Sequence, residues 1–428
     1  MKDELKIKSG LIIFIANDLD SDDFFAITNN LEFRDNILIV CDKKIKRESD
    51  TREFNCLVSK LDDVPKLVKK ITAWAKKNHK LIVGVIGLDE EYHYAVSKNI
   101  AKEFSLEFYG DETIDNTSNK YLQRKKLRNA RINVPNFQLI ELNSKINIPF
   151  PNVLKVLTGN AGFFVYHNKN QEDFKKNIKD FSFLKNKTDL ILQEHKTQKE
   201  TYDPKKQFII EEYVAGQEYS CDYLISDKQA HILRVSKKIN SQEAFAFTEA
   251  IALINPDISK EGFKTKQLAF LCKKVAHALN INHGVCMMDF MVKDKKLVVL
   301  ETSIRPGIST FIDLMAELYR DTSINQLIRQ KLKLQTIKTM PKKEGLVVYF
   351  TTKSPGKIRL FDTDKLKKIK PKLKILKICK YYKKGDLVKI DSNHPEDPIV
   401  LGYVLLKGAA ELNIKLVQTN TNIQIYAQ

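Results

Sequence analysis

The residues best equipped for chemistry in this 428-residue chain lie in one late segment. Two apolar runs, Gly284-Val285-Cys286-Met287-Met288-Asp289-Phe290-Met291-Val292 and Leu297-Val298-Val299-Leu300-Glu301, flank a charged stretch and read as a β-hairpin. With a three-residue turn at Asp294-Lys295-Lys296, Lys293 pairs with Leu297 and Asp289 falls opposite Glu301. A slip of two residues would leave the two carboxylates diagonal, and a slip of one would separate them. Carboxylates facing each other on a sheet repel unless a cation lies between them. Strand alternation carries Glu301's face on through Ser303 and Arg305, after which Pro306-Gly307 turns the chain. Hard oxygen donors of this kind suit Mg²⁺, which in turn binds nucleotide phosphates. The guanidinium suits a developing phosphoryl or carboxylate charge.

Two weaker signals could serve the same chemistry. Lys155 interrupts an apolar strand just before Thr158-Gly159-Asn160-Ala161-Gly162. There a glycine-bearing loop lets backbone N–H groups approach phosphate oxygens beside a lysine charge. Lys120, at the start of a basic helix, is a further candidate. The segment Ile210-Glu211-Glu212-Tyr213-Val214-Ala215-Gly216-Gln217-Glu218 leaves one strand and enters another. Such a connector can offer backbone polar groups to a nucleobase edge, and Glu218 a carboxylate to ribose hydroxyls. His283 and Cys286 sit in an apolar strand context and read as structural. No Ser/His/Asp or Cys/His set stands out.

The elements that must position these residues follow from periodicity. Short apolar runs at 11–15, 37–40 and 81–86 read as buried parallel strands, and Val64, Leu67, Val68, Ile71, Trp74 and Ala75 recur at helical spacing. A polar stretch over 110–119 closes this Rossmann-like unit, and a basic helix over about 119–131 leads to Val134-Pro135. Strand signals follow at 153–157 and 208–212. After about residue 340 the pattern shifts to short strands at 346–350 and 423–426, read as a small α+β unit. The fold class is α/β with α+β lobes. The units are expected at 1–115, 116–206, 207–338 and 339–428.

Composition bounds the partners. Hydrophobic residues make up 43% of the chain and charged residues 29%, which excludes a disordered or fibrous chain. No apolar run approaches the roughly 20 residues needed to cross a bilayer. The six scattered cysteines argue against a zinc site or a disulfide framework, and the expected location is cytoplasmic. Of the formal charge of +19, +15 lies between residues 331 and 390, where 19 Lys/Arg face 4 Asp/Glu. Only 11 of the chain's 72 basic residues are arginine, which disfavours specific nucleic-acid reading without excluding polyanions.

In order and spacing, these pieces resemble the ATP-grasp superfamily, and within it carboxylate–amine ligases of the L-amino-acid ligase and carnosine synthase type. The likeness spans nearly the whole chain and is strongest at Asp289 and Glu301-Thr302-Ser303-Ile304-Arg305-Pro306-Gly307. The resemblance implies a Rossmann-like N-terminal domain, a two-lobed ATP-grasp body and a small C-terminal domain. It implies ATP phosphates bound by Lys120, Lys155 and the Gly159–Gly162 loop, adenine at Glu211, Glu212 and Val214, and ribose at Glu218. One or two Mg²⁺, with Mn²⁺ as a substitute, would be held by Asp289, Glu301 and Ser303. Arg305 would stabilise the transition state. The implied activity joins a small-molecule carboxylate to an amine through an acyl phosphate, releasing ADP, and a homodimer is compatible with it.

The chain departs from the family pattern at several places. Ser303 replaces an asparagine ligand, Val156 a proline, Phe163-Phe164 small residues, and Ile308-Ser309 a glycine and an acidic residue. These departures leave open a nucleotide-binding scaffold or regulator. The basic segment leaves open a ligase acting on a recruited macromolecule.

Overall fold

The computed structural model describes residues 9–16, 33–42, 55–87, 92–159, 164–181, 195–196, 201–241, 244–245, 247–254, 258–337, 342–369, 373–390 and 397–426. The N-terminal apolar runs form a parallel sheet of β1 (Gly10–Ile15), β2 (Ile37–Cys41), β3 (Cys56–Val58) and β4 (Leu81–Gly87), in the order β3-β2-β1-β4. Helix α1 (Val64–Lys77) is capped by the Asp63 carboxylate, which accepts from the Lys66 N–H. Its apolar face and that of α2 (Tyr92–Glu103) cover Leu11, Ile13 and Ile15.

The polar stretch expected at 110–119 is instead a helix, α3 (Asp111–Ser118). Asp111 and Glu112 occupy its first turn, where the helix dipole favours negative charge. Its buried face is built from Thr113, Asn116, Thr117 and Ser118 with one apolar residue, Ile114, so hydrophobic periodicity does not reveal it. Helix α4 (Lys120–Asn129) follows, with the Asn119 side chain accepting from the Tyr121 and Leu122 N–H groups.

The next unit is an antiparallel sheet in the order β5-β10-β6-β7, so the segment from residue 207, expected in the second lobe, begins with a strand of the first. It comprises β5 (Phe137–Glu141), β6 (Asn152–Val156), β7 (Val165–Asn168) and β10 (Gln207–Glu212), with α5 (Gln171–Asp180) and the small hairpin β8 (His195–Lys196) and β9 (Thr201–Tyr202) between. Leu154, Val156, Phe208 and Ile210 face one core with Phe164, Phe174 and Phe181. The alternate residues Lys155, Ile209 and Glu211 therefore face the other side, where Ile209 packs with Leu122 of α4.

The remaining elements build an eight-stranded sheet. Its first part holds β11 (Gln217–Ser226), β12 (Gln229–Asn240), β13 (Thr248–Leu253), β14 (Gly284–Lys293) and β15 (Lys296–Ser303), with α6 (Thr265–Ala278) against it. Helices α7 (Thr310–Tyr319) and α8 (Ser323–Lys331) follow. The last segment contributes β16 (Gly345–Thr352), β17 (Gly356–Asp362), β18 (Ile375–Lys380), β19 (Leu387–Val388), β20 (Ile399–Lys407), α9 (Leu412–Asn420) and β21 (Asn422–Tyr426). The order is β15-β14-β11-β12-β13-β16-β20-β18, so three strands beyond residue 339 extend the preceding sheet rather than forming one of their own. Strands β19-β17-β21 make a separate small sheet. Residues 324, 327 and 328 of α8 pack on Ile12 and Phe14, which joins the N-terminal sheet to this lobe.

A buried ion pair organises the end of β15. The Arg234 guanidinium meets both Asp222 carboxylate oxygens at 2.9 Å, and neither side chain is exposed to solvent. Asp222 also accepts from the Gly307 N–H at 2.9 Å and the Ser323 hydroxyl at 2.6 Å. A Cβ on Gly307 would lie 2.2 Å from Arg234 Nη2, so the turn after Arg305 needs glycine there for close approach. Removing one member strands a buried charge. Arg234→Ala is therefore expected to cost roughly 3–5 kcal/mol, read by denaturant unfolding. A loss under about 1 kcal/mol, ordinary for a surface pair, would contradict this account.

Candidate functional site

The expected site residues assemble along the seam between the two lobes. Lys120 opens α4 with its backbone N–H bonded to Leu157 O at 2.8 Å. Its side chain is nearly buried, and Nζ reaches Gly159 O at 2.5 Å and Glu301 Oε1 at 2.8 Å. A first-lobe lysine thus meets an acidic residue of the second-lobe hairpin. Gly162 and Phe163 lie outside the described residues. Phe164 does not crowd this face: it is buried against Phe181 and Tyr166 on the opposite side of the sheet from Lys155.

The hairpin pairs Asp289 with Glu301 as the sequence suggests, by a different route. The turn has two residues, Asp294 and Lys295, both at positive φ, so Lys293 pairs with Lys296. Uncorrected, that register would set Asp289 opposite Leu300. A β-bulge between Phe290–Val299 and Asp289–Glu301 leaves Leu300 unpaired and restores the carboxylate pair. Helix α4 seals this edge strand. Gln123 bonds both the N–H of Thr302, at 2.9 Å, and its carbonyl, at 2.8 Å, while Arg124 donates to Leu300 O.

Glu211 is a buried structural carboxylate within the site. It pairs with Arg124 Nε at 2.6 Å and with Lys155 Nζ at 2.6 Å. Burial would raise its pKa, but these two cations hold it below the ordinary glutamate value. Glu212 accepts from Asn136 Nδ2 at 2.5 Å, and its N–H bonds Asn136 O. Val214 is buried in the connector between the lobes. A Cβ on Gly216 would lie 2.4 Å from Val292 O, so this connector passes close over β14.

Lys238 on β12 is a candidate-site residue that sequence reasoning misses. Its ammonium lies 2.8 Å from Glu218 Oε1 and 2.7 Å from Asp289 Oδ2, and Asn240 Nδ2 completes Glu218 at 2.8 Å. Burial would lower its pKa, yet Asp289 and Glu218 hold it well above the ordinary lysine value. The only available signal was strand alternation in the segment Ser236-Lys237-Lys238-Ile239-Asn240, which places Lys237 and Lys238 on opposite faces.

Asp289, Glu301, Ser303 and Arg305 share the end of the hairpin, and Ser303 and Arg305 are both buried. Asp289 Oδ1 is buried without a hydrogen-bond partner, the situation of a carboxylate oxygen shaped to take a further ligand. Among the described residues no group of three or more His, Cys, Asp or Glu is placed to hold a metal ion. The available donors are two carboxylates and a hydroxyl. They fit a hard cation that completes its shell with oxygens of a bound phosphate. His283 and Cys286 stand apart: His283 stacks on Tyr109 at 5.2 Å, and burial pushes the Cys286 thiol up.

Residues 148–307 match the family model for the ATP-grasp domain. Over nearly its full length the chain is similar to the crystal structure of L-amino acid ligase from Bacillus licheniformis, with a TM-score of 0.74, 14% identity and coverage of 98% of this chain and 99% of that one. It is similar to N5-carboxyaminoimidazole synthase from Aspergillus clavatus, solved with ADP and 5-aminoimidazole ribonucleotide, with a TM-score of 0.64, 10% identity and coverage of 96% and 97%. It is also similar to biotin carboxylase from Campylobacter jejuni, solved as a β-γ-ATP complex, with a TM-score of 0.61, 12% identity and coverage of 97% and 92%. No curated protein sequence matches it significantly. The chain has the ATP-grasp fold.

The Glu211 pairing gives a pH dependence with a definite sign. Its folded pKa is depressed, so its contribution to stability is present above the unfolded value and is lost as pH falls through the folded one. Glu211→Gln should flatten the stability profile at the acidic end. Arg124→Met should move the acid-side loss to higher pH. Denaturant unfolding measured stepwise from neutral to acidic pH checks both, and parallel profiles for all three proteins would refute the assignment.

Proposed function

We propose, from an ATP-grasp domain whose lysines and hairpin carboxylates meet along one seam, that the protein is an ATP-dependent ligase joining a small carboxylic acid to an amine. The observation that carries this reading is a continuous chain of charge. Lys120 pairs with Glu301, Glu301 faces Asp289, Asp289 and Glu218 share Lys238, and Lys155 holds Glu211 beside the connector. In a nucleotide complex, Lys120 and Lys155 would bind the phosphates, Gly159 and Gly162 would admit them to the backbone, and Glu218 would accept from the ribose hydroxyls. The backbone of Glu211, Glu212 and Val214 would border the adenine.

Asp289, Glu301 and Ser303 would hold Mg²⁺, or Mn²⁺ in its place, which supplies screening of the triphosphate charge when bound. The substrate carboxylate then attacks the γ-phosphorus, the bond to the β-phosphate oxygen breaks, and ADP leaves an acyl phosphate. The amine attacks the acyl carbon, phosphate departs, and the amine gives up a proton to yield the amide. Arg305, buried at the end of the hairpin, would stabilise the charge developing on the transferred group. The protein supplies positioning and charge neutralisation, so no side-chain nucleophile is needed. Of the features behind the scaffold alternative, Phe164 packs away from Lys155, while Phe163 lies outside the described residues and Ser303 still stands where an asparagine ligand is usual.

Two experiments test this. A screen of amino acids and dipeptides for amine-dependent ADP and phosphate release, with mass spectrometry of products, should reveal turnover. Glu301→Ala should abolish that turnover while keeping the wild-type circular dichroism spectrum. Undiminished turnover in the variant would remove Glu301 from the site, and ATP binding with no turnover on any pair would favour the scaffold.

A further inference from the structure

Each acidic group of the hairpin site already has a lysine partner, one of them shared. Lys238 Nζ lies between Glu218 and Asp289 at 2.8 and 2.7 Å, and Lys120 Nζ lies 2.8 Å from Glu301. These side chains are mostly buried, with Lys238, Asp289 and Glu218 exposing 17%, 15% and 19% of their surface. An ammonium within bonding distance of two carboxylates offsets one of their two charges, half of what a divalent ion would, and two cations cannot both sit at close range to Asp289 Oδ2 without strong repulsion. The second oxygen, Oδ1, stays buried and without a hydrogen-bond partner, so the lysine satisfies only half of the aspartate.

From this geometry we infer that Lys238 is a built-in stand-in cation that bars a free divalent ion from Asp289 until nucleotide phosphate draws the ammonium away. The inference rests on the proposed reading of Asp289 and Glu301 as metal ligands. Phosphate oxygens offer Lys238 and Lys120 a replacement anion, and the vacated carboxylates become available to the metal in the same event. Metal and nucleotide would then bind as one unit, and Lys238 is a positioning residue that sets their order. Lys238 reaches both carboxylates because β12 and β14 flank β11, whose Ser220 pairs with Ser236 on one side and with Asp289 on the other.

The test is direct Mn²⁺ binding to the full chain, followed by electron paramagnetic resonance without any acid or amine. The wild-type protein should show weak Mn²⁺ binding alone and a saturable site, at least about tenfold tighter, with a non-hydrolysable ATP analogue. Lys238→Met should gain tight Mn²⁺ binding without nucleotide, and adding Asp289→Asn should erase that gain. Tight binding to the nucleotide-free wild type would overturn the inference, as would a Lys238→Met protein that binds Mn²⁺ no better than wild type. If Lys238→Met fails to fold, Lys238→Gln and the wild-type comparison decide the matter. Absence of any Mn²⁺ site even with the analogue would sink the metal reading itself, and this inference with it.

Discussion

One buried guanidinium ties the two lobes together. Arg124, fully shielded from solvent, joins Glu211 on β10 of the first lobe and the carbonyl of Leu300 on β15 of the second. Leu300 is the residue left unpaired by the hairpin bulge, so the irregularity that brings Asp289 opposite Glu301 also frees the carbonyl that Arg124 takes. A buried cation of this kind is costly to desolvate and is tolerated only with a full set of acceptors. Glu211 supplies the counter-charge, Leu300 O and Gln123 Oε1 accept from the guanidinium, and Glu211 in turn fixes Lys155. Lys155 and the acidic hairpin are therefore set relative to each other through two side chains, Glu211 and Arg124. Gln123, the neighbour of Arg124, adds two bonds to the backbone of Thr302 and closes the exposed edge of the eight-stranded sheet at its functional end.

The second constraint is electrostatic. Three carboxylates, Glu218, Asp289 and Glu301, stand close together, and bringing them out of water with two lysines makes the region nearly self-compensating. The Asp222–Arg234 pair anchors Gly307 and Ser323, so the chain beyond Arg305 is held by hydrogen bonds to the buried Asp222. Ser309 follows at φ 65° and ψ −141°, backbone values that glycine adopts readily and serine does not. Strain of this sort persists where neighbouring contacts over-determine the chain, and here it falls at the start of α7 beside Arg305.

Much of this was legible in sequence because the relevant signals are local. Uninterrupted apolar runs marked β1, β2 and β4, and the charged break between two apolar strands marked the hairpin. The facing of Asp289 and Glu301 was reached with a turn one residue too long, and a compensating bulge made the pairing hold. Bulges depend on what the strand edge meets, which for β15 is Arg124, some 176 positions away in the chain. Lys238 was hidden for the same reason: a lysine in a lysine-rich chain announces nothing until the sheet places it beside Asp289. Helix α3 escaped because its buried face is mostly polar; the strands at 346–350 and 423–426 were legible, but the joining of strands after residue 339 to the preceding sheet was not, because partner choice across a sheet is a long-range property.

The lysine-rich segment now divides into residues with different tasks. Lys343 donates to Leu318 O in the last turn of α7, where the helix dipole favours a cation. Lys377 reaches the buried Asp313 at 2.8 Å, and Lys380 bonds Phe361 O and lies over its ring at 4.7 Å. Lys377 and Lys380 belong to β18, the outer edge of the eight-stranded sheet, where charged side chains discourage pairing with another chain. Part of the +15 excess between 331 and 390 is therefore accounted for by helix capping, a buried counter-charge and edge protection. None of these needs a nucleic acid. What is left for a polyanionic partner is narrower than the total charge suggests.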